Sequence, residues 1–278
     1  MKNLFISILL FMALPCIAQR HISIFCDHIG EIARQEKISF AEAASKVKNL
    51  GYNGVDVSVN LSDKDQRTLD SLGFQHASAI SHIDFYQGEK KDECRKALDF
   101  MRKNGYTRLL LVPGFRPDKA DGNVDKLAFK RIKQFVGQAK KEGFEIMVED
   151  FDNVNSPCYN TAALDKLFKA VPRLGMVLDT GNFPFCGEDD MEALHHFRSK
   201  IRHLHLKDRK AMRDRESLAI GTGIVPLQDI ITELLKTGYD GWFTVECYGA
   251  KNMLSSATTS IVNVNKAWDG FENSRTRK

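Results

Sequence analysis

The stretch Ile201-Arg202-His203-Leu204-His205-Leu206-Lys207-Asp208 decides the fold of this chain. Read as a β-strand, it sends both histidines and the lysine to one face and both central leucines to the other. The leucines need an apolar layer such as a row of helices, which leaves the imidazoles pointing into an enclosed space. This arrangement is typical of a barrel strand that brings a ligand to the barrel mouth.

Length and composition describe one ordinary α/β domain. The chain has 278 residues, of which 43% are hydrophobic and 27% are charged, values typical of a folded globular domain. Its formal charge of +4 comes from 40 basic and 36 acidic residues, too balanced a mixture to produce a strong field. Apart from the short tail 275–278, no basic run with interleaved aromatic residues is present. The charge pattern therefore predicts no nucleic-acid partner.

The first eighteen residues have the pattern of a secretory signal peptide. A lysine precedes an apolar run over residues 4–14, and polarity returns after Ala18, where we expect cleavage. The run is well short of the roughly 20 apolar residues that span a bilayer, so no stable membrane span is expected. Cys16 would fit a lipoprotein signal, but Pro15 stands where such signals have a small flexible residue, so lipidation is the less favoured alternative. The sequence thus predicts an exported protein, periplasmic or secreted, whose mature part is residues 19–278.

Five cysteines remain after the signal peptide, an odd number without the CxxC spacing of a metal or redox motif. Neither a zinc knuckle nor a disulfide framework is therefore predicted, although export leaves open the oxidation of one pair. These cysteines are Cys26, Cys94, Cys158, Cys186 and Cys247.

From about residue 20 onward, short apolar strands alternate with amphipathic helices in eight units. The eight predicted strands are 21–27, 54–59, 74–83, 108–115, 144–151, 175–182, 201–208 and 242–248. Several helices end at a glycine that leads into the next strand, as expected of a left-handed cap. These glycines are Gly51, Gly105, Gly143 and Gly238. Residues 253–268 supply the eighth helix.

Eight strand–helix units in about 250 residues match a (β/α)₈ TIM barrel. The alternative, an open doubly wound sheet, would carry a GxGxxG motif after its first strand. The segment Phe25-Cys26-Asp27-His28-Ile29-Gly30 has no such motif, and no residues are left over for a second domain. We therefore predict a single α/β domain, a (β/α)₈ TIM barrel over residues 19–278.

Four consecutive predicted strands end in groups that a packed core would not tolerate. Alternation selects the inward-facing member of each end, because the neighbouring apolar residues face the helices. Three carboxylates in one confined mouth repel each other unless protons or a cation intervene, so we predict a divalent metal. Oxygen donors without a thiolate favour Mn²⁺, Mg²⁺ or Co²⁺, and Zn²⁺ stays open. The predicted ligands are Glu149, Asp179, His205 and Glu246.

The same segments resemble the xylose isomerase-like TIM barrel family, which contains sugar phosphate isomerases and epimerases and the second family of AP endonucleases. The resemblance extends over the mature chain. It rests on the strand ends above, on Leu178-Asp179-Thr180-Gly181-Asn182, and on the loop Gly221-Thr222-Gly223-Ile224-Val225-Pro226. In the ketohexose epimerases of that family, one metal is bound by residues that match the four predicted ligands. The resemblance therefore implies a metal-dependent reaction on a small carbohydrate.

The resemblance also implies a mechanism. A metal that chelates two neighbouring sugar oxygens polarises the carbonyl and lowers the free energy of an enediolate. Glu149 or Glu246 would remove the proton beside the carbonyl, and the other glutamate would return a proton to the opposite face or to the adjacent carbon. Lys207, on the same inward face, is a candidate for substrate contact or proton transfer. The first hypothesis is thus an exported, metal-dependent sugar isomerase or epimerase that acts through a metal-bound enediolate.

Two other hypotheses stay open. A lyase or hydratase would use the same metal and base on a keto-sugar or an oxidised glycoside. A non-catalytic sugar-binding barrel would use the barrel mouth for recognition only. Each strand-end carboxylate, taken singly, could also be a helix cap or a salt-bridge partner, although four such groups on successive strands favour a site.

Three departures from the family's patterns narrow the substrate. Asp179 is followed by Thr180-Gly181-Asn182, without the histidine of the AP endonucleases, so DNA repair is disfavoured. Epimerases usually carry an arginine six places after the metal histidine, where this chain has Ala211; Lys207 or Arg209 could serve instead. Export would also expose the protein to free sugars, glycosides or their oxidised products rather than to phosphorylated sugars.

Substrate contacts are assigned by position near the strand ends. The residues predicted to make them are His82, Arg209 and Tyr248, and a packed rim aromatic is the equal alternative for Tyr248. Other polar residues at strand ends either contact the substrate or hydrogen-bond within their loops; they are Asp27, His28 and Asp84. No residue is predicted to bind an organic cofactor, and the oligomeric state, including a homo-oligomer, stays open.

The remaining histidines and glycines receive structural interpretations. His203 lies one layer deeper than His205 and is expected to support the site or to pack in the core. His195 and His196 fall on a helix and are expected at the surface. The loop 221–223 precedes a helix and could bind an anion through backbone N–H groups, but a plain turn is favoured.

Overall fold

A computed structural model of the protein describes residues 20–118 and 122–276, so the predicted signal peptide lies outside the described residues. The barrel strands are β1 (Ile22–Phe25), β2 (Gly54–Ser58), β3 (Gln75–His82), β4 (Arg108–Val112), β5 (Glu145–Glu149), β6 (Gly175–Asp179), β7 (Ile201–Leu206) and β10 (Phe243–Val245). These eight parallel strands close into a barrel in the order β1-β10-β7-β6-β5-β4-β3-β2. The strands β8 (Asp208–Arg209) and β9 (Ser217–Leu218) form a separate antiparallel hairpin.

Helices cover the outside of the barrel. They are α1 (Cys26–Glu36), α2 (Phe40–Asn49), α3 (Asp63–Ser71), α4 (Lys91–Asn104), α5 (Gly122–Lys141), α6 (Thr161–Ala170), α7 (Asn182–Cys186), α8 (Asp190–Phe197), α9 (Leu227–Lys236) and α10 (Met253–Thr276). A short 3₁₀ helix spans Phe85–Gln87. At least one helix follows every barrel strand before the next barrel strand begins, which confirms the predicted single-domain (β/α)₈ TIM barrel.

Alternation along β7 places its side chains as predicted. Leu204 and Leu206 belong to the large apolar core between the strands and the helices. His203 and His205 face the barrel interior, where both approach Asp56 of β2. A second, smaller apolar cluster lies inside the barrel and consists of Leu110, Met147 and Val177. The barrel interior is therefore part apolar and part polar, and its polar part lies beside β7.

Local sequence signals explain where several helices begin and end. Ser39 accepts a hydrogen bond from the Glu42 backbone N–H, and the Glu42 carboxylate accepts one from the Ser39 backbone N–H, which forms a capping box at the start of α2. The four predicted cap glycines all have positive φ, for example 75° at Gly105 after α4. Most side chains disfavour this conformation, so glycine eases the change of direction into the next strand.

The first predicted strand is too long. The predicted segment 21–27 ends as a strand at Phe25, because α1 begins at Cys26. Asp27 and His28 therefore lie in the first turn of a helix rather than in a loop. The sequence signal was ambiguous here, because an apolar run that continues into a helix shows no break in hydrophobicity.

The seventh predicted strand, 201–208, is also too long, since β7 ends at Leu206 and Asp208 begins the hairpin strand β8. This hairpin was not predicted, because two-residue strands are too short to give a periodic signal. The last predicted helix, 253–268, continues to Thr276. None of the helices within the described residues is long and apolar enough to cross a membrane. The five cysteines among the described residues carry free thiols, and four of them are buried.

Candidate active site

The four predicted ligands meet at the carboxyl ends of neighbouring barrel strands. Glu149 ends β5, Asp179 ends β6, His205 lies near the end of β7, and Glu246 directly follows β10. One side-chain donor atom from each residue lies within 4.8 Å of the others, and all four residues are buried. We call these four residues the ligand ring.

His205 turns its two ring nitrogens toward different carboxylates. Nδ1 contacts Glu149 Oε1 and lies 3.5 Å from Glu246 Oε2, while Nε2 lies 3.5 Å from Asp56 Oδ2. Burial lowers the pKa of His205, but the charges of Glu149 and Asp56 outweigh burial and raise this pKa well above its usual value. Nδ1 is therefore the nitrogen that faces the other members of the ligand ring.

Lys207 places an ammonium group among the ring carboxylates, on the inward face where the sequence predicted it. Its Nζ lies 2.7 Å from Asp179 Oδ2, 2.5 Å from Glu246 Oε1 and 3.1 Å from Asn182 Oδ1. Burial alone would lower the pKa of Lys207, but Asp179 and Glu246 raise it above its usual value. Gly181 makes room for this side chain, because a Cβ at that position would lie 2.6 Å from Lys207 Cγ.

The charges of this site fit a divalent cation. With all three ring carboxylates ionised and with His205 neutral, as both would be when they bind a metal, the Lys207 ammonium leaves two negative charges in a buried space. Such charge is costly unless it is compensated, and without a metal the raised pKa values of His205 and Glu246 compensate it with protons. Burial raises the pKa of Glu246 to about 8, with Lys207 opposing the rise and Asp179 adding to it. Three oxygens and one imidazole nitrogen are donors that Mn²⁺, Mg²⁺, Co²⁺ or Zn²⁺ accepts. The residues of the ligand ring therefore suit a divalent ion.

A layer of hydrogen-bonded polar side chains lies next to the ligand ring inside the barrel. Asp56 Oδ2 accepts a hydrogen bond from Ser78 Oγ at 2.5 Å and lies 2.8 Å from His203 Nε2. Asp56 Oδ1 accepts one from Thr244 Oγ1 at 2.8 Å. Burial would raise the pKa of Asp56, but His203 and His205 lower it well below its usual range. We call this group the support layer; it comprises Ser23, Asp56, Ser78, His203 and Thr244, all of them buried.

The support layer could hold an ion only by giving up hydrogen bonds. Asp56, His203 and His205 offer donor atoms close enough together for a metal, yet both Asp56 oxygens already accept hydrogen bonds. We therefore interpret Asp56 and His203 as residues that orient His205, in line with the expectation for His203. Sequence analysis missed Asp56, whose signal was a single carboxylate within the apolar strand Gly54–Ser58.

A cavity of about 450 Å³ reaches from Glu149 and Glu246 to the rim of the barrel. Its volume falls in the range of small-molecule sites, roughly 300–1,000 Å³. Tyr248 stands at the rim, where it is 44% exposed and its hydroxyl donates a hydrogen bond to Asp27 Oδ2 at 3.1 Å. The three predicted substrate-binding residues all line this cavity, and they are His82, Arg209 and Tyr248.

Other candidates from the sequence lie in less direct positions. His28 is buried, and its Nε2 accepts a hydrogen bond from the Cys247 backbone N–H at 2.8 Å, so it fixes the segment after β10. Asp84 caps the 3₁₀ helix through its side chain. His195 and His196 lie on α8 with exposed side chains, as expected.

The loop 221–223 binds an anion, but this anion belongs to the protein itself. The backbone N–H groups of Gly221, Thr222 and Gly223 donate hydrogen bonds to Asp208 Oδ2 at 2.9, 3.0 and 2.7 Å. Asp208 is fully buried, so these donors replace the water that its carboxylate has lost. The loop is therefore more than the plain turn that was favoured: it anchors the start of β8 to the segment before α9.

Sequence comparison finds relatives that are named as isomerases and dehydratases. An inosose dehydratase from Lacticaseibacillus casei is 23% identical over 260 residues, which cover 79% of this chain and 85% of that protein. A provisionally named hydroxypyruvate isomerase from Streptomyces coelicolor is 28% identical over 173 residues. That match covers 57% of this chain and spans only 60% of the relative.

Solved structures share the fold. A D-tagatose 3-epimerase-like protein matches with a TM-score of 0.74 at 16% identity, covering 91% of this chain and 99% of that one. The probable 3-DHS dehydratase from Bacillus anthracis matches with a TM-score of 0.71 at 15% identity, covering 87% and 98%. The family model described as xylose isomerase-like TIM barrel matches residues 40–266, well over half of the chain. The chain therefore belongs to the xylose isomerase-like TIM barrel family.

Proposed function

We propose that this protein is an exported, metal-dependent enzyme that isomerises or epimerises a keto-sugar by moving a proton on a carbon next to the carbonyl. The observation that carries this proposal is the ligand ring, in which three carboxylates and a histidine converge beside a cavity of about 450 Å³. The names of the relatives, an isomerase and a dehydratase, describe two reactions that can both begin with the loss of such a proton.

The two glutamates are suited to move this proton. A divalent ion bound by the ligand ring would polarise the carbonyl of the substrate and acidify the neighbouring C–H bond. Glu149 and Glu246 both line the cavity, where one can remove the proton and the other can return it. The electron pair of the C–H bond moves into the carbonyl and gives an enediolate. Return of the proton to the opposite face of the same carbon is epimerisation, and return to the former carbonyl carbon is isomerisation.

Lys207 acts in this proposal as a fixed positive charge. Its ammonium lies 2.7 Å from Asp179 Oδ2 and 2.5 Å from Glu246 Oε1, and these carboxylates outweigh burial and raise the pKa of Lys207. The side chain therefore stays protonated and does not serve as the base. A preorganised ammonium at this position stabilises negative charge on a substrate oxygen as it develops.

A dehydratase or hydratase is the second candidate, and the match to an inosose dehydratase over most of both chains favours it. The first step is the same loss of a proton beside the carbonyl. The enediolate then expels hydroxide from the β-carbon, and the leaving oxygen takes a proton from a nearby acid, so that water is released. Hydration is the reverse reaction. Both reactions use the same base, so removal of that base does not distinguish them. The mass of the product does, because only dehydration or hydration changes it by one water.

Incorporation of solvent deuterium into keto-sugars, with and without added Mn²⁺, tests the proposal. We expect exchange beside the carbonyl only when the metal is present, and a loss of about a thousandfold in Glu246→Gln. Glu145→Gln is the matched control, because Glu145 begins β5 and pairs with Arg202, and it should retain full exchange. A product of unchanged mass supports isomerisation or epimerisation, whereas gain or loss of water supports the second candidate.

Two results would contradict the proposed enzyme. Full exchange in Glu246→Gln would remove this glutamate from the mechanism. Saturable sugar binding without metal, and without any exchange, would instead indicate a non-catalytic sugar-binding barrel. The proposed export is tested separately by cell fractionation, with the expectation that the mature chain begins at Gln19 and lies outside the cytoplasm.

A further inference from the structure

The positively charged side chains that line the cavity come from one wall. Lysine and arginine contribute three lining residues, Lys207, Arg209 and Arg215, and all three belong to β7, the β8–β9 hairpin or the segments beside them. The lining carboxylates of Glu149 and Glu246 come from β5 and β10 instead. The cavity therefore has the ligand ring at one end, where Lys207 pairs with the ring carboxylates, and a hairpin side that carries Arg209 and Arg215 together with one carboxylate, Asp152, which pairs with Arg209.

Two of the three cations are already engaged within the protein. Lys207 contacts ring carboxylates, as described above. Arg209 donates from Nε to the Gly181 carbonyl oxygen at 3.0 Å and from Nη1 to the Arg215 carbonyl oxygen at 2.8 Å. Its Nη2 donates to Asp152 Oδ2 and Asn182 Oδ1, both at 3.2 Å. Arg209 is buried and its donors are largely used, so it braces the hairpin rather than offering a free guanidinium.

Arg215 differs from both of these residues. Its side chain is exposed, and within the described residues it forms no ion pair. The guanidinium lies 5.2 Å from the centroid of the Phe185 ring, which Arg209 approaches at 5.5 Å. Contact with an aromatic face orients a guanidinium while leaving its N–H groups in the plane free to bind a ligand. Arg215 is therefore an oriented cation at the cavity with unused donors.

Ser217 adds a second unused donor on the same wall. It lies two residues after Arg215, at the start of β9, and also lines the cavity. Its Oγ is buried and has no hydrogen-bond partner among the described residues. A buried hydroxyl without a partner is costly, and a ligand oxygen in the cavity would relieve that cost. Arg215 and Ser217 thus both line the cavity with donors that no protein group among the described residues uses.

We propose that Arg215 and Ser217 bind an anionic group of the substrate, a carboxylate or a phosphate, so that the substrate is an acidic sugar rather than a neutral one. This inference rests on the proposed function and names the substrate class of the same cavity. The orientation of the substrate in the cavity follows from the positions of these side chains. Asn182, Arg209 and Phe185 lie in successive contact between Lys207 and Arg215, so the anionic group binds along the hairpin while the carbonyl end lies at the ligand ring.

Electrostatics favours this arrangement over a neutral substrate. The planar donors of a guanidinium match the two oxygens of a carboxylate or phosphate, and such hydrogen bonds are about twice as strong as neutral ones. A sugar hydroxyl in the same place would leave the positive charge of Arg215 without compensation by the ligand. An anionic group placed at the opposite end would instead occupy the ligand ring, where the proposed function requires the carbonyl.

Three ligands with one carbon skeleton test this inference: fructose, its C6 carboxylate fructuronate, and fructose 6-phosphate. Binding to the full-length mature protein with Mn²⁺ is measured by calorimetry. We expect at least one anionic ligand to bind about tenfold more tightly than fructose, the gain typical of a charge-assisted hydrogen bond. Arg215→Met should reduce this preference to less than about twofold by weakening the binding of the anionic ligand, and Ser217→Ala should reduce it partially, by about threefold.

Arg213→Met is the matched control, because Arg213 is an exposed arginine of the same connection and is not among the residues that line the cavity. It should retain the full preference, and all variants should keep the wild-type melting temperature. Equal binding of the three ligands, absence of binding, or a preference that survives Arg215→Met would overturn the inference. Whichever of fructuronate and fructose 6-phosphate binds more tightly shows whether the site prefers a carboxylate or a phosphate group.

Deuterium exchange with the same ligands separates this inference from the proposed function. An Arg215-dependent preference without exchange in any ligand would support the anion site and contradict the proposed enzyme. Exchange that is equally efficient with fructose and with its acidic analogues would support the proposed enzyme and contradict the anion site.

Discussion

The ligand ring and the support layer are adjacent inside the barrel, and both take residues from β7 and from β10 or the position directly after it. Each buries one histidine and at least one carboxylate, yet they differ in how negative charge is compensated. In the support layer, the single carboxylate of Asp56 accepts hydrogen bonds on both oxygens and also lies 2.8 Å from His203 Nε2. In the ligand ring, three carboxylates share His205 and the Lys207 ammonium, and two negative charges are left over when the carboxylates are ionised and His205 is the neutral imidazole that a metal binds. A buried carboxylate whose oxygens all accept hydrogen bonds can orient its neighbours. Buried carboxylates whose negative charge is not fully compensated by the protein favour the binding of a cation.

Removing a carboxylate from the ligand ring should have the largest effect. We expect Asp179→Asn to weaken Mn²⁺ binding by about a thousandfold, beyond the roughly 10- to 100-fold cost of losing a residue that only orients a ligand. Calorimetry measures this affinity without any need for turnover. Asp27→Asn is the control, because Asp27 lines the cavity but bonds to Tyr248. Equal losses in the two variants would show that the ligand ring is not the metal site.

The metal-free ligand ring should also make stability depend on pH. The pKa of Glu246 is about 8 in the folded protein, against a usual value of 4.5, so between these pH values the folded state binds more protons than the unfolded state. The free energy of unfolding should therefore fall by on the order of 2 kcal/mol as pH rises from about 4.5 to about 6.5, a range that lies below the usual and the raised pKa of His205. Denaturation in EDTA at several pH values measures this slope.

Two comparisons identify the source of that slope. Glu246→Gln should remove most of it, because glutamine does not titrate, and added Mn²⁺ should suppress it by taking the place of the proton. The support layer should contribute in the opposite direction, because the pKa of Asp56 is lowered by its histidines and its stabilising effect is lost only in acid. An unchanged slope in Glu246→Gln would assign the titration to another group.

The sequence predicted the ligand ring because the information is local. Each ring residue lies beside apolar neighbours whose side is known, so a period of two places the carboxylate or imidazole inside the barrel. The eightfold alternation of strand and helix then brings the strand ends together. The same reasoning placed Lys207 on the inward face, although β7 ends one residue earlier, at Leu206.

The support layer and the hairpin could not be predicted in this way. Asp56 meets Ser78 and Thr244 across separations of 22 and 188 positions, contacts that exist only after the barrel has closed. Asp208 was assigned to the end of a strand, and its partners in loop 221–223 lie 13 to 15 positions later. Hydrophobic periodicity reports which side a residue faces, and it does not report which distant residue it meets.

Weakening the link between the two layers should have an intermediate effect. Asp56→Asn should lower Mn²⁺ affinity by roughly 10- to 100-fold, because the carboxylate that orients His205 is lost while all four ligands remain. The readout is again the calorimetric affinity, together with the melting temperature as a check on the fold. Wild-type affinity in this variant would contradict the orienting role assigned to Asp56.

The smallest effect is expected at the far edge of the support layer. Ser23 Oγ lies 2.5 Å from Thr244 Oγ1, and Thr244 keeps its contacts to Asp56 and His203 when Ser23 is truncated. Ser23→Ala should therefore lower the free energy of unfolding by only about 1 kcal/mol and leave Mn²⁺ affinity unchanged. Urea denaturation measures the free energy of unfolding. Ser71→Ala, at the exposed end of α3, is the control and should stay within about 0.5 kcal/mol of wild type. A loss of metal affinity in Ser23→Ala would mean that the whole support layer acts on the ligand ring as one unit, rather than through Asp56 alone.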